Sequence, residues 1–330
     1  MSDTLPTVVV TSVVRSAYQG QSHGGVYLVD LESGDHQQVI DWDNADISWE
    51  GRGADRGLRG IAFHGGCVYL AASDEIFVYD ERFNLQRSIR NPYLKHCHEI
   101  CVSQGRLLLT STGYDSVLSY DLIQERFVAG YTLRFRASSR AMLKYGRKRM
   151  RPRPTFGVFD PERPGGPSPG DTTHLNSVTS DGDRVYVSGT RLGRLYAIAA
   201  GGTLTTYART SYGTHNAQPF RDGVLANDTV DNRVVYCDRR GRPRMSFPIV
   251  TYDPESLENA DLARGHARAT FGRGLTVHED RRIIGGSSPA TVSVHDLATG
   301  STERRINLTM DVRNAIHGLE PWPFDGLVTD

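Results

Sequence analysis

Six short segments of the chain begin with a histidine or an arginine, and these six side chains are the first candidates for chemistry. The segments read Arg59-Gly-Ile-Ala-Phe, His98-Glu-Ile-Cys-Val, His174-Leu-Asn-Ser-Val, His215-Asn-Ala-Gln-Pro, Arg273-Gly-Leu-Thr-Val and His317-Gly-Leu-Glu-Pro. Four imidazoles brought together would repel one another if protonated and would have few acceptors if neutral, whereas a divalent cation accepts a lone pair from each. The pattern therefore predicts a metal site.

The predicted metal ligands are His98, His174, His215 and His317. Zinc, copper, iron and nickel all favour imidazole nitrogen, with bonds of about 2.0 to 2.2 Å. We expect one divalent metal, Fe(II) in the first place, with Zn, Mn or Cu as alternatives. Three or four nitrogen ligands leave coordination positions for water, dioxygen or substrate, which is the arrangement of a catalytic site.

Short β-strands must position these side chains. Apolar runs rich in β-branched and aromatic residues recur along the chain, and five of the six that end a repeat finish in aspartate before a turn, as in β-hairpins. Examples are Gly25-Val-Tyr-Leu-Val-Asp30, Glu75-Ile-Phe-Val-Tyr-Asp80 and Thr291-Val-Ser-Val-His-Asp296. Four strands per unit and a repeat of roughly 40 residues predict an all-β protein, a six-bladed β-propeller.

The two ends of the chain predict how the ring closes. His317-Gly-Leu-Glu supplies an innermost strand with no unit after it, whereas Val8-Val-Val-Thr and Gly25-Val-Tyr-Leu have none before them. We expect the N- and C-terminal strands to share one blade, because closure removes the exposed edges of an open array. The second strand of that blade is either the Val8 run or Gly326-Leu-Val-Thr.

The blade sequence, for instance Arg59-Gly-Ile-Ala-Phe-His-Gly-Gly-Cys-Val-Tyr-Leu, resembles the six-bladed superfamily of NHL-repeat proteins and gluconolactonase-like hydrolases. This resemblance spans nearly the whole chain and implies architecture only. Gluconolactonase-like enzymes bind metal mainly through acidic and amide side chains, which are not at the repeated position here. In site plan, the histidines are similar to those of the seven-bladed carotenoid cleavage oxygenases, which bind ferrous iron through four histidines, and of six-bladed peptide-amidating lyases, which bind zinc through three.

The innermost strands of a propeller line its central channel, so the repeated position should form a ring near one mouth. Numbered by innermost strand, Arg59 and Arg273 belong to blades one and five, the neighbours of His317 in blade six. Paired guanidiniums bind a carboxylate, phosphate or sulfate, and we therefore expect Arg59 and Arg273 to bind a small anionic substrate. His317 is either the fourth ligand or the catalytic acid or base.

Four further polar residues follow the ring histidines closely and are candidates for orienting the imidazoles. They are Glu99, Asn176, Asn216 and Glu320.

One domain is expected over residues 1–330, because a single propeller uses this length. Three long connections, 41–58, 134–173 and 251–272, should emerge at the mouth and are predicted to be lids. The second is basic over 134–153, with a possible short helix at 138–145. It is equally compatible with an electropositive lid, which attracts an anionic substrate or an acidic carrier protein, and with a solvated loop.

Composition and charge limit the expected partners. Lys plus Arg and Asp plus Glu both number 38, so no nucleic acid or membrane partner is expected. The start, Met1-Ser-Asp-Thr-Leu-Pro, lacks the basic and apolar regions of a secretory signal, and no apolar run approaches the roughly 18 residues of a membrane span. Four cysteines in or beside predicted strands fit a reducing compartment, and we expect a cytoplasmic protein.

Three functions are compatible with this sequence. The leading hypothesis is a mononuclear non-haem iron oxygenase or oxidase that acts on a small anion in the axial channel. The alternative is a zinc- or manganese-dependent lyase or hydrolase, in which the metal polarises a substrate oxygen and His317 moves a proton. The third is a non-catalytic ligand-binding propeller. An enzyme is favoured because imidazoles, arginines and insertions converge on one mouth.

Overall fold

The fold is an all-β propeller of six blades, which confirms the predicted architecture. The computed structural model describes residues 4–18, 20–42, 57–135, 153–262 and 268–324. Within these ranges, 25 strands form six antiparallel sheets, five of four strands and one of five. The helices of the described residues are 3₁₀ turns at Thr112–Tyr114 and Pro254–Ser256, and none is long and apolar enough to cross a membrane.

The strands follow one another blade by blade. The chain begins with β1 (Thr7–Val14), β2 (Gly25–Asp30) and β3 (His36–Asp41), the outer strands of blade six. Blade one has β4 (Ile61–His64), β5 (Cys67–Ala71), β6 (Glu75–Asp80) and β7 (Leu85–Arg90). Blade two has β8 (Ile100–Ser103), β9 (Arg106–Ser111), β10 (Ser116–Asp121), β11 (Arg126–Arg134) and β12 (Thr155–Phe159). Blade three has β13 (Leu175–Ser180), β14 (Arg184–Gly189), β15 (Arg194–Ala199) and β16 (Leu204–Arg209). Blade four has β17 (Thr214–Phe220), β18 (Gly223–Asp228), β19 (Arg233–Asp238) and β20 (Pro243–Pro248). Blade five has β21 (Leu275–His278), β22 (Arg282–Ser287), β23 (Thr291–Asp296) and β24 (Ser301–Asn307), and β25 (Asn314–Pro321) is the innermost strand of blade six.

Blade six joins the two ends of the described chain. Strand β1 pairs antiparallel with β2 on one side and β25 on the other, with Val10 opposite Leu319. The predicted closure is therefore correct, and the Val8 run is the second strand. The competing run 326–329 lies outside the described residues.

The aspartates that end the repeated runs cap the following turns. Asp30 accepts backbone hydrogen bonds from Glu32 at 2.7 Å and from Ser33 at 3.0 Å, an Asx turn that fixes the hairpin. The aspartates at equivalent positions also accept from the residue two further on. They are Asp80, Asp121, Asp238 and Asp296. The repeated Asp is thus a turn signal and not part of a site.

The core lies between the blades. Six hydrophobic clusters each join the facing sheets of two neighbouring blades, and the ring is therefore sealed all round. Between blades six and one, for example, Val9 and Leu28 pack with Ile61 and Leu70. Burial of such apolar faces is the main stabilising term, and it leaves the channel-facing residues free to be polar.

The three predicted lids are described only in part. Residues 43–56, 136–152 and 263–267, with the possible helix at 138–145, lie outside the described residues. The described end of the second insertion forms β12, which pairs with β11 and widens blade two at its outer edge. This part of the insertion extends a sheet and does not cover the channel. That the insertions act as lids stays a prediction.

Candidate functional site at the axial mouth

The six repeated residues lie where the innermost strands begin. Arg59, His98 and Arg273 precede β4, β8 and β21 by two residues, and His174 directly precedes β13. His215 is the second residue of β17, and His317 lies within β25. The sequence pattern thus marks one structural position, although the strand boundaries differ by a few residues between blades.

Close backbone contacts bring neighbouring inner strands together at this position. The N–H of Gly60 donates to the carbonyl of His98 at 2.8 Å. A Cβ on Gly60 would lie 2.9 Å from that oxygen, and one on Gly318 would lie 2.3 Å from the carbonyl oxygen of Arg59. Side chains do not fit at such distances. This explains why glycine follows both Arg59 and His317.

All four ring histidines have Nδ1 next to an oxygen acceptor. A carbonyl oxygen only accepts, so it requires the proton on Nδ1. His98 also approaches Thr112 Oγ1 at 3.0 Å, a hydroxyl that donates its own proton to the carbonyl of Leu175. The Nδ1 distances are 2.9 Å from His98 to the His96 carbonyl, 3.0 Å from His215 to the Gly213 carbonyl, 3.1 Å from His317 to the Ala315 carbonyl, and 2.9 Å from His174 to the Asp171 carboxylate.

Three of these imidazoles are neutral at pH 7. Burial lowers the pKa of His98, His215 and His317 well below the usual 6.5, and nearby guanidinium charges lower it further. A neutral imidazole carries one proton, which the acceptors fix on Nδ1, so Nε2 is an unprotonated lone pair. The Nε2 atom of His215 is buried and has no hydrogen-bond partner in the described part of the chain. Such an atom suits a metal ligand or a base.

The structure brings the histidines near one another without closing a coordination shell. The rings of His98 and His174 meet edge to face with centroids 5.4 Å apart, and His317 is near enough to contribute to the lowered pKa of His98. Among the described residues, no group of three or more His, Cys, Asp or Glu is arranged so that it could hold a metal ion. The four-histidine metal site therefore stays a prediction.

Two predicted arginines and two unpredicted ones make the mouth electropositive. Arg59 and Arg273 are both buried, and their charges act on His98 and His317. The guanidinium of Arg273 also lies 4.9 Å from the ring centre of Phe271. On the same ring, Arg15 lies at 5.2 Å and Arg268 at 5.1 Å.

Three guanidiniums therefore lie around the ring of Phe271 at the mouth. The centre of this ring is 5.6 Å from the centre of the His215 imidazole. A cation over an aromatic face is held by the ring quadrupole. No pattern in the sequence indicates this cluster, because Arg15 directly follows β1 and Phe271 is one apolar residue of the third insertion. The mouth is well suited to an anion.

Two carboxyl groups of the inner strands have shifted pKa values. Glu99 accepts a hydrogen bond from the Asn216 amide at 2.7 Å, and Glu320 accepts one from Thr276 at 3.4 Å. Burial, together with the charge of Glu320, raises the pKa of Glu99 well above 4.5. Burial raises the pKa of Glu320 to about 8. A pKa of about 8 leaves the Glu320 side chain mostly protonated at neutral pH.

The prediction that four polar neighbours orient the imidazoles is wrong. Asn176 donates to the carbonyl of Thr214 at 3.1 Å, and the other three bond with one another or with Thr276. Successive strand residues point to opposite sides and rise by about 3.3 Å, which moves these groups away from the imidazoles. The imidazoles are oriented instead by Asp171, Thr112 and backbone carbonyls. The other three residues are Asn216, Glu99 and Glu320.

A buried aspartate fixes the segment that leads into His174. Asp115 is fully buried and accepts hydrogen bonds from the backbone N–H groups of Thr172 and Thr173, each at 2.8 Å, and from both hydroxyls. Asp171, one residue earlier, binds Arg191 at 3.0 Å as well as His174. The segment 171–174, which leads into β13, is therefore fixed by Asp115 on one side and by Arg191 on the other.

Comparisons with known proteins support the fold alone. A scan against protein-family models and a search of curated proteins found no match. Among solved structures, a protein of unknown function from Bacteroides caccae has a TM-score of 0.55 and 10% identity, over 96% of this chain and 98% of that one. A streptogramin B lyase has a TM-score of 0.46 and 14% identity over 77% and 69%. Virginiamycin B lyase from Staphylococcus aureus has 0.43 and 11% over 76% and 70%. These neighbours include lyases with a propeller fold. Identities and TM-scores this low do not assign an activity to the present chain.

Proposed function

We propose that the protein is an enzyme that binds a small organic anion at the axial mouth and moves a proton with a neutral imidazole, which is lyase-type chemistry. The observation that carries this proposal is the pairing of unprotonated imidazoles with buried guanidiniums. His317 is buried, its Nδ1 is bonded to the Ala315 carbonyl at 3.1 Å, and the charges of Arg273 and Arg59 act on it.

The guanidiniums of Arg59 and Arg273 bind the anionic group of the substrate. Charge-assisted hydrogen bonds from guanidinium to carboxylate are among the stronger polar contacts, and they are strengthened where water is excluded. Burial is the first cause of the low pKa of His317, and the anion offsets the second cause, the guanidinium charges. The pKa of His317 then rises, and the imidazole becomes a better base when substrate is bound.

The reaction step follows from this arrangement. Nε2 of His317 takes a proton from the carbon next to the substrate carboxylate, and the electron pair moves into the carboxyl group. The guanidiniums stabilise the charge that develops there. Departure of a leaving group with its electron pair from the next carbon completes an elimination.

A metal-dependent form of the same reaction is the second candidate. Two imidazoles on one cation with bonds of about 2.1 Å have ring centres roughly 5 Å apart, close to the 5.4 Å between His98 and His174. In this form a shift of the side chains would bring His98, His174 and His215, with or without His317, onto one divalent cation, and the substrate anion would offset the guanidinium charges. When bound, the metal polarises a substrate oxygen. The oxygenase hypothesis stays a prediction, since no observation favours dioxygen chemistry.

Proton exchange in D₂O tests the proposal without knowledge of the final product. Small carboxylates and phosphates are incubated with the chain, with and without added Zn²⁺, Mn²⁺ or Fe²⁺, and loss of the proton next to the acid group is followed by NMR. We expect exchange with the parent chain, none with His317→Asn, and normal exchange with His36→Asn, whose side chain is exposed. Tight binding of anions with no exchange of any would favour a non-catalytic binding propeller.

A further inference from the structure

A large groove opens between blades three and four, apart from the axial mouth. Its volume is about 1200 Å³, and none of the six ring residues lines it. Strands β15 and β16 supply Arg194 and Arg209 on one side, and β18 and β19 supply Val224, Ala226 and Cys237 on the other. The groove is larger than most small-molecule sites, which measure about 300 to 1,000 Å³.

Small side chains mark the blade interface at the groove. Four alanines belong to the cluster between blades three and four, whereas none belongs to the buried clusters on either side of it. The four are Ala197, Ala208, Ala217 and Ala226, and of these Ala226 lines the groove. Its methyl group fills less of the wedge between two diverging sheets than a larger side chain would. Together with Val224 and Cys237, it gives the groove an apolar wall.

The rim of the groove is cationic. Arg153, Arg194, Arg209 and Arg240 all line it, and no ion pair of these four occurs within the described ranges, although other surface arginines such as Arg87 and Arg244 have carboxylate partners. Asp228 also lines the groove but is paired with Arg233, so the other four positive charges repel one another, and an anion bound among them relieves that repulsion.

Two polar atoms of the groove wall are buried and find no hydrogen-bond partner among the residues that the structure describes. They are Thr210 Oγ1 and Arg233 Nε. Buried polar atoms are normally satisfied, and both could bond to the acidic group of a ligand. The Nη2 atom of Arg233 is bound to the carboxylate of Asp228 at 3.3 Å and to that of Asp231 at 2.9 Å. These two ion pairs fix the orientation of the guanidinium.

We propose that this groove binds an amphipathic organic anion, a molecule with an apolar body and one carboxylate, sulfonate or phosphate group. The apolar body packs on Val224, Ala226 and Cys237, and the acidic group lies between Arg194 and Arg209. Neither an apolar molecule nor a purely ionic one uses both surfaces. The site is separate from the proposed active site and does not depend on it.

The test uses a fluorescent pair that differs only in charge. The probe is 1-anilinonaphthalene-8-sulfonate, and the uncharged control is N-phenyl-1-naphthylamine, which lacks the sulfonate. We expect saturable binding of one sulfonate probe per chain. The double variant Arg194→Gln/Arg209→Gln should bind it about a hundredfold more weakly, because two charge-assisted contacts worth about tenfold each are lost, with no change for the uncharged probe. The exposed Arg242→Gln is the matched control and should match the parent.

Filling the groove should block both probes. Ala226→Leu puts a larger side chain into the cavity, and Ala226→Val is the milder change if the first variant does not fold. Equal affinity of parent and double arginine variant for the sulfonate probe would overturn the proposal. So would binding that responds to Arg59→Gln instead, since the probe would then lie at the axial mouth. Displacement of the probe by an oligoglutamate peptide at lower concentration than by dodecanoate would replace the small anion with an acidic peptide.

Discussion

The imidazoles of His98 and His174 meet edge to face with ring centroids 5.4 Å apart, although blades two and three contribute one each. Both have Nδ1 committed to an acceptor, an oxygen of His96 or Thr112 for the first and the Asp171 carboxylate for the second. Their remaining nitrogens are the groups with which this mouth can bind a cation or accept a proton.

The metal-dependent form predicts the effect of His174→Ala. The parent, purified without a histidine tag, should contain about one equivalent of Zn²⁺, Mn²⁺ or Fe²⁺ after equilibration. The variant should contain none, because a metal site made of imidazoles loses most of its affinity for the metal when one imidazole is removed. Elemental analysis measures both. The variant should stay folded, since inter-blade clusters and not the mouth hold the ring. A metal content equal to that of the parent would remove His174 from the site.

Anion binding should depend on the two ring arginines. Arg59→Gln and Arg273→Gln are each expected to weaken malonate binding by about tenfold, because a buried charge-assisted hydrogen bond is lost. Isothermal titration calorimetry at low ionic strength measures the affinity. Arg126→Gln is the control, since Arg126 is exposed and its side chain donates to Gln124. Loss of affinity in the control alone would place the anion elsewhere.

Stability should respond to pH through two opposed sets of buried groups. The folded-state pKa values of His98, His215 and His317 lie below their unfolded value of 6.5, so their contribution is present above pH 6.5 and is lost as pH falls. Glu99 and Glu320 have raised pKa values. Their contribution is present below pH 4.5 and, for Glu320, is lost as pH rises through about 8. The two contributions change in opposite directions with pH, so the free energy of unfolding of the parent should change only slightly between pH 4.5 and about 8.

Removing the glutamates exposes the histidine contribution. In Glu99→Gln/Glu320→Gln, the free energy of unfolding should fall by on the order of 3 kcal/mol between pH 7.5 and pH 5.5. Over this range the three histidines become protonated in the unfolded chain but stay neutral in the folded protein. Denaturant unfolding at several pH values measures this. A flat profile in the double variant would mean that the imidazoles are protonated in the folded protein.

The buried hydrogen bonds of Asp115 should contribute strongly to the free energy of unfolding. Asp115→Ala leaves the N–H groups of Thr172 and Thr173 without their buried acceptor, at a cost of about 3 kcal/mol. Asp115→Asn keeps one carbonyl oxygen and should cost less. Urea unfolding compares the two with the parent. Equal stability of all three would show that the segment before His174 is held by other contacts.

Some parts of this molecule are predictable from sequence for physical reasons. Turns at Asp30 and its equivalents are local, since the carboxylate bonds two and three residues ahead, and they repeat with the blades. The ring of imidazoles and guanidiniums follows from the same repeat. The imidazole tautomers were not predictable, because the acceptor for His317 is a backbone carbonyl two residues earlier, which depends on the local fold and not on residue type.

Contacts between distant parts of the chain gave no sequence signal. Arg15 reaches Phe271 from the other end of the chain, and Asn216 bonds to Glu99 across 117 positions. The first contact adds a guanidinium to the cationic mouth, and the second connects blades two and four. The basic groove between blades three and four was equally hidden, because alanine in a strand looks like any other apolar position.

The most direct test of the axial site is the protonation state of its histidines. Long-range ¹H–¹⁵N NMR correlations at pH 7 should show His98, His215 and His317 as neutral imidazoles with the proton on Nδ1, and a saturating dicarboxylate such as malonate should raise the pKa of His317. Imidazolium signals, or protons on Nε2 in the free protein, would contradict the account, because neither a base nor a metal ligand would then face the channel.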